Sequence, residues 1–217
     1  QHLWLVDLHG LLVTGRENIA PYHLPYAHDV PETTFSEAIR RYKPHVLIGA
    51  TGVSGAFTED IVRLMAEINQ RPVIFALSNP TSNAECTAEQ AYRWSEGRVV
   101  FASGSPFAPV TFQGKTYRPG QGNNAYVFPG LGLGAIASRA HTISDDMLLV
   151  AARILAASVG NDDLAAGAIY PPLARIRQVS LTIAVAVAEK AWEEGVAQEE
   201  RPEDVECMIR ELMYEPG

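Results

Sequence analysis

Short apolar runs punctuate the first half of the chain: Leu3-Trp4-Leu5-Val6, Val46-Leu47-Ile48, Val73-Ile74-Phe75-Ala76-Leu77 and Val99-Val100-Phe101-Ala102. Their length, their β-branched and aromatic content and the turn residues around them predict strands buried on both faces. Between them lie segments of helical period. Thr33 or Thr34 caps a helix to about Lys43, with Phe35, Ala38, Ile39 and Tyr42 on its apolar face, and Thr58 caps another through about Asn69, where Ile61, Leu64, Met65 and Ile68 recur at three and four. Thr87 caps a third helix before the run at 99–102. Strands alternating with helices predict parallel pairing, and hence an α/β fold with a doubly wound, mostly parallel sheet. After Ala102 the pattern changes to a long glycine- and proline-rich stretch with a hairpin through Gln113-Gly114-Lys115. The remainder reads as helices: Ala125 to about Arg139, then 145–159 capped by Ser144, then about Ile176 to Glu194 after the break at Ile169-Tyr170-Pro171-Pro172-Leu173. The acidic residues from Glu199 to Glu206 read as a solvated face or a frayed end. Together these elements predict one domain over 1–217, with the sheet and site loops in 1–140 and a helical extension in 141–217.

With 47% hydrophobic and 19% charged residues, a chain of 217 residues is in the globular range. Its formal charge of −8, without a lysine- or arginine-rich cluster, argues against a nucleic-acid footprint. Small anions stay possible, because backbone N–H groups at helix starts bind them without net positive charge. No apolar run approaches the ~20 residues of a membrane span. Cys86 and Cys207 lack metal-ligand spacing and read as reduced thiols, which predicts a cytoplasmic protein.

The chemistry gathers at strand ends. A parallel sheet delivers its ligand-binding groups at the carboxyl ends of its strands. Asn79, in Ser78-Asn79-Pro80, stands at such an end with an amide that both donates and accepts, and Pro80 keeps it out of the helical region. It either presents that amide to a ligand or begins a turn. Gly49-Ala50-Thr51-Gly52-Val53-Ser54-Gly55 follows the second run and precedes a capped helix, which suits a sugar or phosphate lying against the turn, or a tight turn with no ligand. Asp7 ends the first run. A carboxylate there accepts from the adenosine ribose in a dinucleotide-binding unit, although the glycine-rich pyrophosphate turn belongs about 20 residues upstream of it. Only six residues precede Asp7, so it is either an ordinary turn residue or the chain is a fragment. Asn123 and Asn124 cap the helix behind them or offer amides to a carboxylate or carbonyl. Gly130, Gly132 and Gly134 are placed on one side of that helix, open to close approach.

Ala76-Leu77-Ser78-Asn79-Pro80-Thr81, Ala84-Glu85-Cys86-Thr87-Ala88-Glu89, Phe101-Ala102-Ser103-Gly104-Ser105-Pro106-Phe107 and Pro119-Gly120-Gln121-Gly122-Asn123-Asn124 resemble successive motifs of malic enzymes. Val127-Phe128-Pro129-Gly130, Ile143-Ser144-Asp145 and Ile169-Tyr170-Pro171-Pro172-Leu173 continue the resemblance in order, to about Ala197. It implies a Rossmann-like domain lacking its first strand–turn–helix, from the carboxyl-terminal half of an enzyme that oxidatively decarboxylates (S)-malate to pyruvate and carbon dioxide. The family reduces NAD or NADP and uses Mg or Mn. The resemblance further implies Asn79, Asn123 and Asn124 as substrate-binding residues. It implies Asp7, Gly49, Ala50, Thr51, Gly52, Val53, Ser78, Asn79 and Asn124 as cofactor-binding residues.

The family's tyrosine and lysine acid–base pair and its metal ligands match nothing in this sequence. The expectation is therefore that catalytic and metal residues lie outside the chain, that the chain alone is inactive, and that its partner is an amino-terminal half of the same protein, in a homo-oligomer (dimer or tetramer) when complete. Asp7 followed by Leu8 points to NAD rather than NADP, because a carboxylate at the ribose repels a 2′-phosphate; His23 and Arg16 are the cations that could offset it. Malolactic-type malate conversion on the same scaffold, or a non-catalytic nucleotide-binding module, are the alternative functions.

Overall fold

A computed structural model describes residues 3–17 and 19–214. His2, where the first predicted strand begins, lies outside the described residues. The chain forms two compact units, residues 1–115 and 116–217.

The first unit opens on a correction. Only Val6–Asp7 (β1) is strand, and it pairs antiparallel with Gly10–Leu11 (β2) as a small separate sheet. Leu3 is exposed and Trp4 is half-buried, its ring stacked on those of His28 and Tyr42. Gly10, at φ 105, turns the chain sharply after Asp7, as its place in the sequence suggests, and the predicted strand shortens to two residues of a tight hairpin. The proline-rich stretch that follows contributes one 3₁₀ helix, Pro21–Tyr26.

Helix Phe35–Tyr42 (α1) begins at a capping box, in which Thr34 and Glu37 each satisfy the other's backbone N–H. Strand Val46–Gly49 (β3), helix Glu59–Ile68 (α2), strand Val73–Ala76 (β4), helix Ala88–Trp94 (α3) and strand Val100–Ser103 (β5) then alternate as predicted. Thr58 caps α2, and Thr87 caps α3 through a second capping box with Gln90. The three strands are parallel and in register, with Leu47 beside Ile74 beside Phe101, so this unit is an α/β Rossmann-like sheet with helical crossovers.

Burial on both sides is not what β3 shows. Leu47 and Gly49 are buried while Val46 and Ile48 are 46% and 59% exposed, so one face of the sheet is packed and the other is partly open. The packed face carries Leu47, Ile74 and Phe101, and Tyr92 of α3 meets Phe101 edge-on. Val110–Phe112 (β6) and Lys115–Tyr117 (β7) form the predicted hairpin, with Gln113 and Gly114 at positive φ in its turn.

The second unit is helical. Asn124–Tyr126 makes a 3₁₀ turn that leads into Phe128–Ala137 (α4), and Asp145–Ala157 (α5), Asn161–Ala165 (α6), Ile176–Glu193 (α7) and Val205–Leu212 (α8) follow. Helix α7 is the hub, packed by α4, α5 and α8. Two helices were not predicted. Short α6 is too brief for a periodic signal. In α8, Asp204 caps the start and Val205 and Ile209 bury one turn apart against the cluster of Ala184, Ala188 and Leu181, so the acidic stretch runs into a docked helix rather than a frayed end.

The α4 glycines divide between two sides, contrary to expectation. A Cβ on Gly134 would lie 2.5 Å from the Ala184 carbonyl oxygen, one on Gly130 2.7 Å from the Ser180 carbonyl oxygen, and one on Gly132 would meet nothing. Steps of 100° per residue place 130 and 134 together and turn 132 away. Gly134→Ala is therefore expected to cost about 1–3 kcal/mol of stability through overpacking, whereas Gly132→Ala gains up to about 1 kcal/mol of helix propensity. Urea unfolding of the two variants checks this pair; equal effects would show that α7 does not set the spacing.

Candidate functional site at the carboxyl end of the parallel sheet

Parallel pairing brings the ends of β3, β4 and β5 to one edge, and the loops leaving them carry the predicted polar groups. Asn79 follows β4. Its side-chain Nδ2 donates to the Leu77 carbonyl at 3.4 Å, and its Oδ1 accepts from Ser105 Oγ at 2.5 Å, so its exposed amide is oriented from behind. The two loops touch because Gly104 lies between them: a Cβ there would fall 2.2 Å from the Leu77 oxygen and 2.7 Å from Asn79 Nδ2. The Asn79–Pro80 peptide is cis.

The turn after β3 sits beside this tip, because Leu77 N–H donates to the Gly49 carbonyl at 2.9 Å. Thr51, Gly52 and Val53 are exposed. Their N–H groups are already used: Thr51 N donates to Glu85 at 2.8 Å, Gly52 N to Ser78 Oγ at 2.8 Å, and Val53 N to Thr51 Oγ1 at 3.1 Å. A phosphate needs free N–H donors, so this part of the turn offers a flat, glycine-relieved surface and carbonyl acceptors, which suits ribose hydroxyls better than an anion.

Ser78, predicted as a cofactor contact, is buried, and its hydroxyl both donates to Glu85 and accepts from Gly52. Gly49 is equally internal, since a Cβ would lie 2.6 Å from Glu85 Cδ. Ala50 is exposed beside them.

Asp7 belongs to the separate antiparallel sheet. Arg16 donates to both of its carboxylate oxygens, and the His9 N–H donates to Oδ1 at 2.8 Å. The Arg16 hydrogen bond, opposed by partial burial and aided by His9, holds the Asp7 carboxyl below its ordinary value.

In the second unit, Asn123 Oδ1 accepts from Ala125 N at 2.8 Å and caps the turn that enters α4. Asn124 is exposed, and its amide has no hydrogen bond among the described residues. Tyr126, one turn on, donates to the Pro171 carbonyl at 2.6 Å and stacks on Tyr170, so the Ile169–Leu173 segment holds the turn that carries Asn124.

A family model described as "Malic enzyme, NAD binding domain" matches residues 1–192. This chain belongs to that family. It is 50% identical over 217 residues to the chloroplastic NADP-dependent malic enzyme of Zea mays, covering 99% of this chain and 34% of that protein. It is 46% identical to the NADP-dependent malic enzyme of Dictyostelium discoideum, covering 40% of it. The solved malic enzyme of Pyrococcus horikoshii superposes with a TM-score of 0.70 at 25% identity, over 93% of this chain and 42% of that one. That of Entamoeba histolytica superposes at 0.74 with 22% identity, over 96% of this chain and 40% of that one, and speaks for the fold. The chain spans about a third of the length of its plant relative, against the half expected from its motifs.

Within this member of the malic enzyme family, sequence reasoning passed over one residue of the site. Glu85 is fully buried and joins the turn to the β4 tip. Its signal was an isolated acid in an otherwise uncharged run from Val73 to Ala88, flanked by Ala84 and Cys86. Burial alone raises its carboxyl, but hydrogen bonds from Ser78, the Thr51 amide, its own backbone and the Thr51 hydroxyl outweigh that and hold it below its ordinary value. Its stabilising contribution is thus present at neutral pH and is lost as the pH falls through the folded-state value. Next to it, burial first and the Glu85 charge second push the Cys86 thiol up to about 12.

The Mg or Mn that the family resemblance implies finds no matching donors: among the described residues no group of three His, Cys, Asp or Glu side chains could hold a metal ion. No described helix is long and apolar enough to cross a membrane.

Proposed function

We propose that this chain is the nucleotide- and substrate-orienting portion of a malic enzyme, acting in the oxidative decarboxylation of (S)-malate to pyruvate and carbon dioxide. The observation that carries it is the oriented, exposed amide of Asn79 beside the exposed 51–53 turn, at the carboxyl end of a parallel sheet. The turn supports the nucleotide ribose, and Asn79 offers its amide to the nicotinamide side; the family resemblance gives Asn124, on the second unit, a role toward substrate or cofactor as well. Their contribution is orientation, which is worth several kcal/mol when it holds reacting atoms in a near-attack geometry. The base, the acid and the metal ligands are supplied by residues outside this chain, in an assembly of complete subunits. Residues 1–217 alone are therefore expected to form no reduced nucleotide from malate. Malate-dependent absorbance at 340 nm above a buffer control would overturn that expectation. In the whole protein, malate turnover without net nucleotide reduction would favour malolactic chemistry, and no malate turnover would favour a binding module.

For the cofactor we infer NADP, against the NAD that Asp7 alone predicts. The support is twofold. The Zea mays and Dictyostelium discoideum relatives are named NADP-dependent. Arg16, moreover, pairs with both oxygens of Asp7, so the carboxylate is not an uncompensated charge against a 2′-phosphate. Comparison of kcat/KM for NADP and NAD at fixed malate and metal, at pH 6 and pH 8, is expected to favour NADP at both. Preference for NAD at both would restore the Asp7 argument; preference for NADP only at pH 6 would shift the role from Arg16 to a group that titrates between the two.

A further inference from the structure

Glu85 presents a carboxylate, fully buried, with no lysine, arginine or histidine paired to it among the described residues. Neutral donors surround it instead. Oε1 accepts from Thr51 N at 2.8 Å, from Thr51 Oγ1 at 2.9 Å and from Ser78 Oγ, and Oε2 accepts from Ser78 N at 3.4 Å. Ser78 Oγ in turn accepts from Gly52 N at 2.8 Å. A carboxylate is the side chain that offers two acceptor oxygens and no donor, so it alone satisfies donors converging from two sides. Those two sides are the loop after β3 and the tip of β4. The Glu85 backbone adds a third tie, its carbonyl accepting from Phe57 N at 3.0 Å just before α2 begins.

We propose that Glu85 is a positioning residue for the nicotinamide nucleotide: its buried carboxylate locks the Thr51–Gly52 turn to Ser78 and so fixes both the surface on which the ribose lies and the direction in which Asn79 leaves the sheet. This rests on the functional reading given above. Glu85 touches no ligand itself; it acts through groups whose donors it consumes, which turns their outer faces toward solvent. A glutamine in its place keeps the shape but removes the charge that gathers three donors on Oε1 and sets an NH2 against the Ser78 N–H, so the tie between the turn and Ser78 loosens. The same lock explains why position 49 holds glycine, since the carboxylate end of Glu85 occupies the space a Cβ would need.

The test uses the whole protein that carries this chain, with NADP and NAD as probes. In Glu85→Gln, nucleotide Kd per folded molecule, measured without malate, is expected to rise tenfold or more. Nucleotide KM should rise with it, and kcat at saturating nucleotide should fall too, though by less than in Asn79→Ala, because the Asn79 amide is displaced rather than removed. Ser78→Ala, a small change at a buried position, removes only the hydroxyl bridge and is expected to raise Kd about fivefold; it decides the matter if Glu85→Gln does not fold. The double variant should lose little more than Glu85→Gln alone, because both act through one contact. If the unaltered protein binds nucleotide and the folded variants bind it equally well, Glu85 is a structural residue and this inference fails by itself. If the unaltered protein binds neither nucleotide, the functional reading fails and takes the inference with it.

Discussion

Gly104→Ala is expected to destabilise the first unit by about 3 kcal/mol, the upper end of overpacking costs, because the obstruction is backbone and cannot rotate away. The added methyl would sit 2.2 Å from the Leu77 carbonyl oxygen, and Gly104 N–H also donates to the Ala76 carbonyl at 3.1 Å, so the end of β5 cannot retreat without breaking a sheet contact. Any retreat would also carry Ser105 away from Asn79, whose amide it orients. Stability and activity should fall together. Urea unfolding gives the first and turnover of the whole protein the second; a stability change under about 0.5 kcal/mol would mean that the two loops are further apart than described.

Asn79→Ala should separate those two quantities. The side chain is exposed, and its internal hydrogen bonds, from Ser105 and to Leu77, are made at the surface, so unfolding should shift by no more than about 0.5 kcal/mol. Turnover of malate by the whole protein should fall tenfold or more, equivalent to about 1.4 kcal/mol of lost transition-state stabilisation. A marked loss of stability with turnover per folded molecule preserved would make Asn79 a turn residue.

What the sequence made legible was whatever is encoded locally. Thr34, Thr58, Thr87 and Ser144 each precede a helical period and each caps a helix. The apolar runs at 46–48, 73–77 and 99–102 mark the strands Val46–Gly49, Val73–Ala76 and Val100–Ser103, and their alternation with helices gives the parallel register. What escaped depends on who the neighbour is. A run of apolar residues does not say whether both faces of a strand are covered, and β3 leaves Val46 and Ile48 exposed. Acidic composition concealed α8, because two buried positions one turn apart are a weak signal amid Glu203, Asp204, Glu206 and Glu211. Asp7 was recognisable as a strand-end acid, but Arg16, nine residues on, decides its chemistry. The candidate site divides the same way: Asn79 announced itself beside Pro80, whereas Glu85 acquires its role only when the fold closes over it.

The two cysteines fall one in each unit, and their surroundings make them a matched pair of reporters. Cys86 is sealed beside the turn, and with its thiol pushed up to about 12 it yields almost no thiolate at neutral pH. Cys207 is exposed on α8. An alkylating reagent therefore modifies Cys207 at once and Cys86 only during excursions in which the first unit opens. The delay between the two modifications is a clock for those excursions, read by mass on unaltered protein. A nucleotide bound against the Thr51–Gly52 turn would lengthen the delay by the factor 1 + [L]/Kd, so ligand screening on this protein needs neither a dye nor a turnover assay.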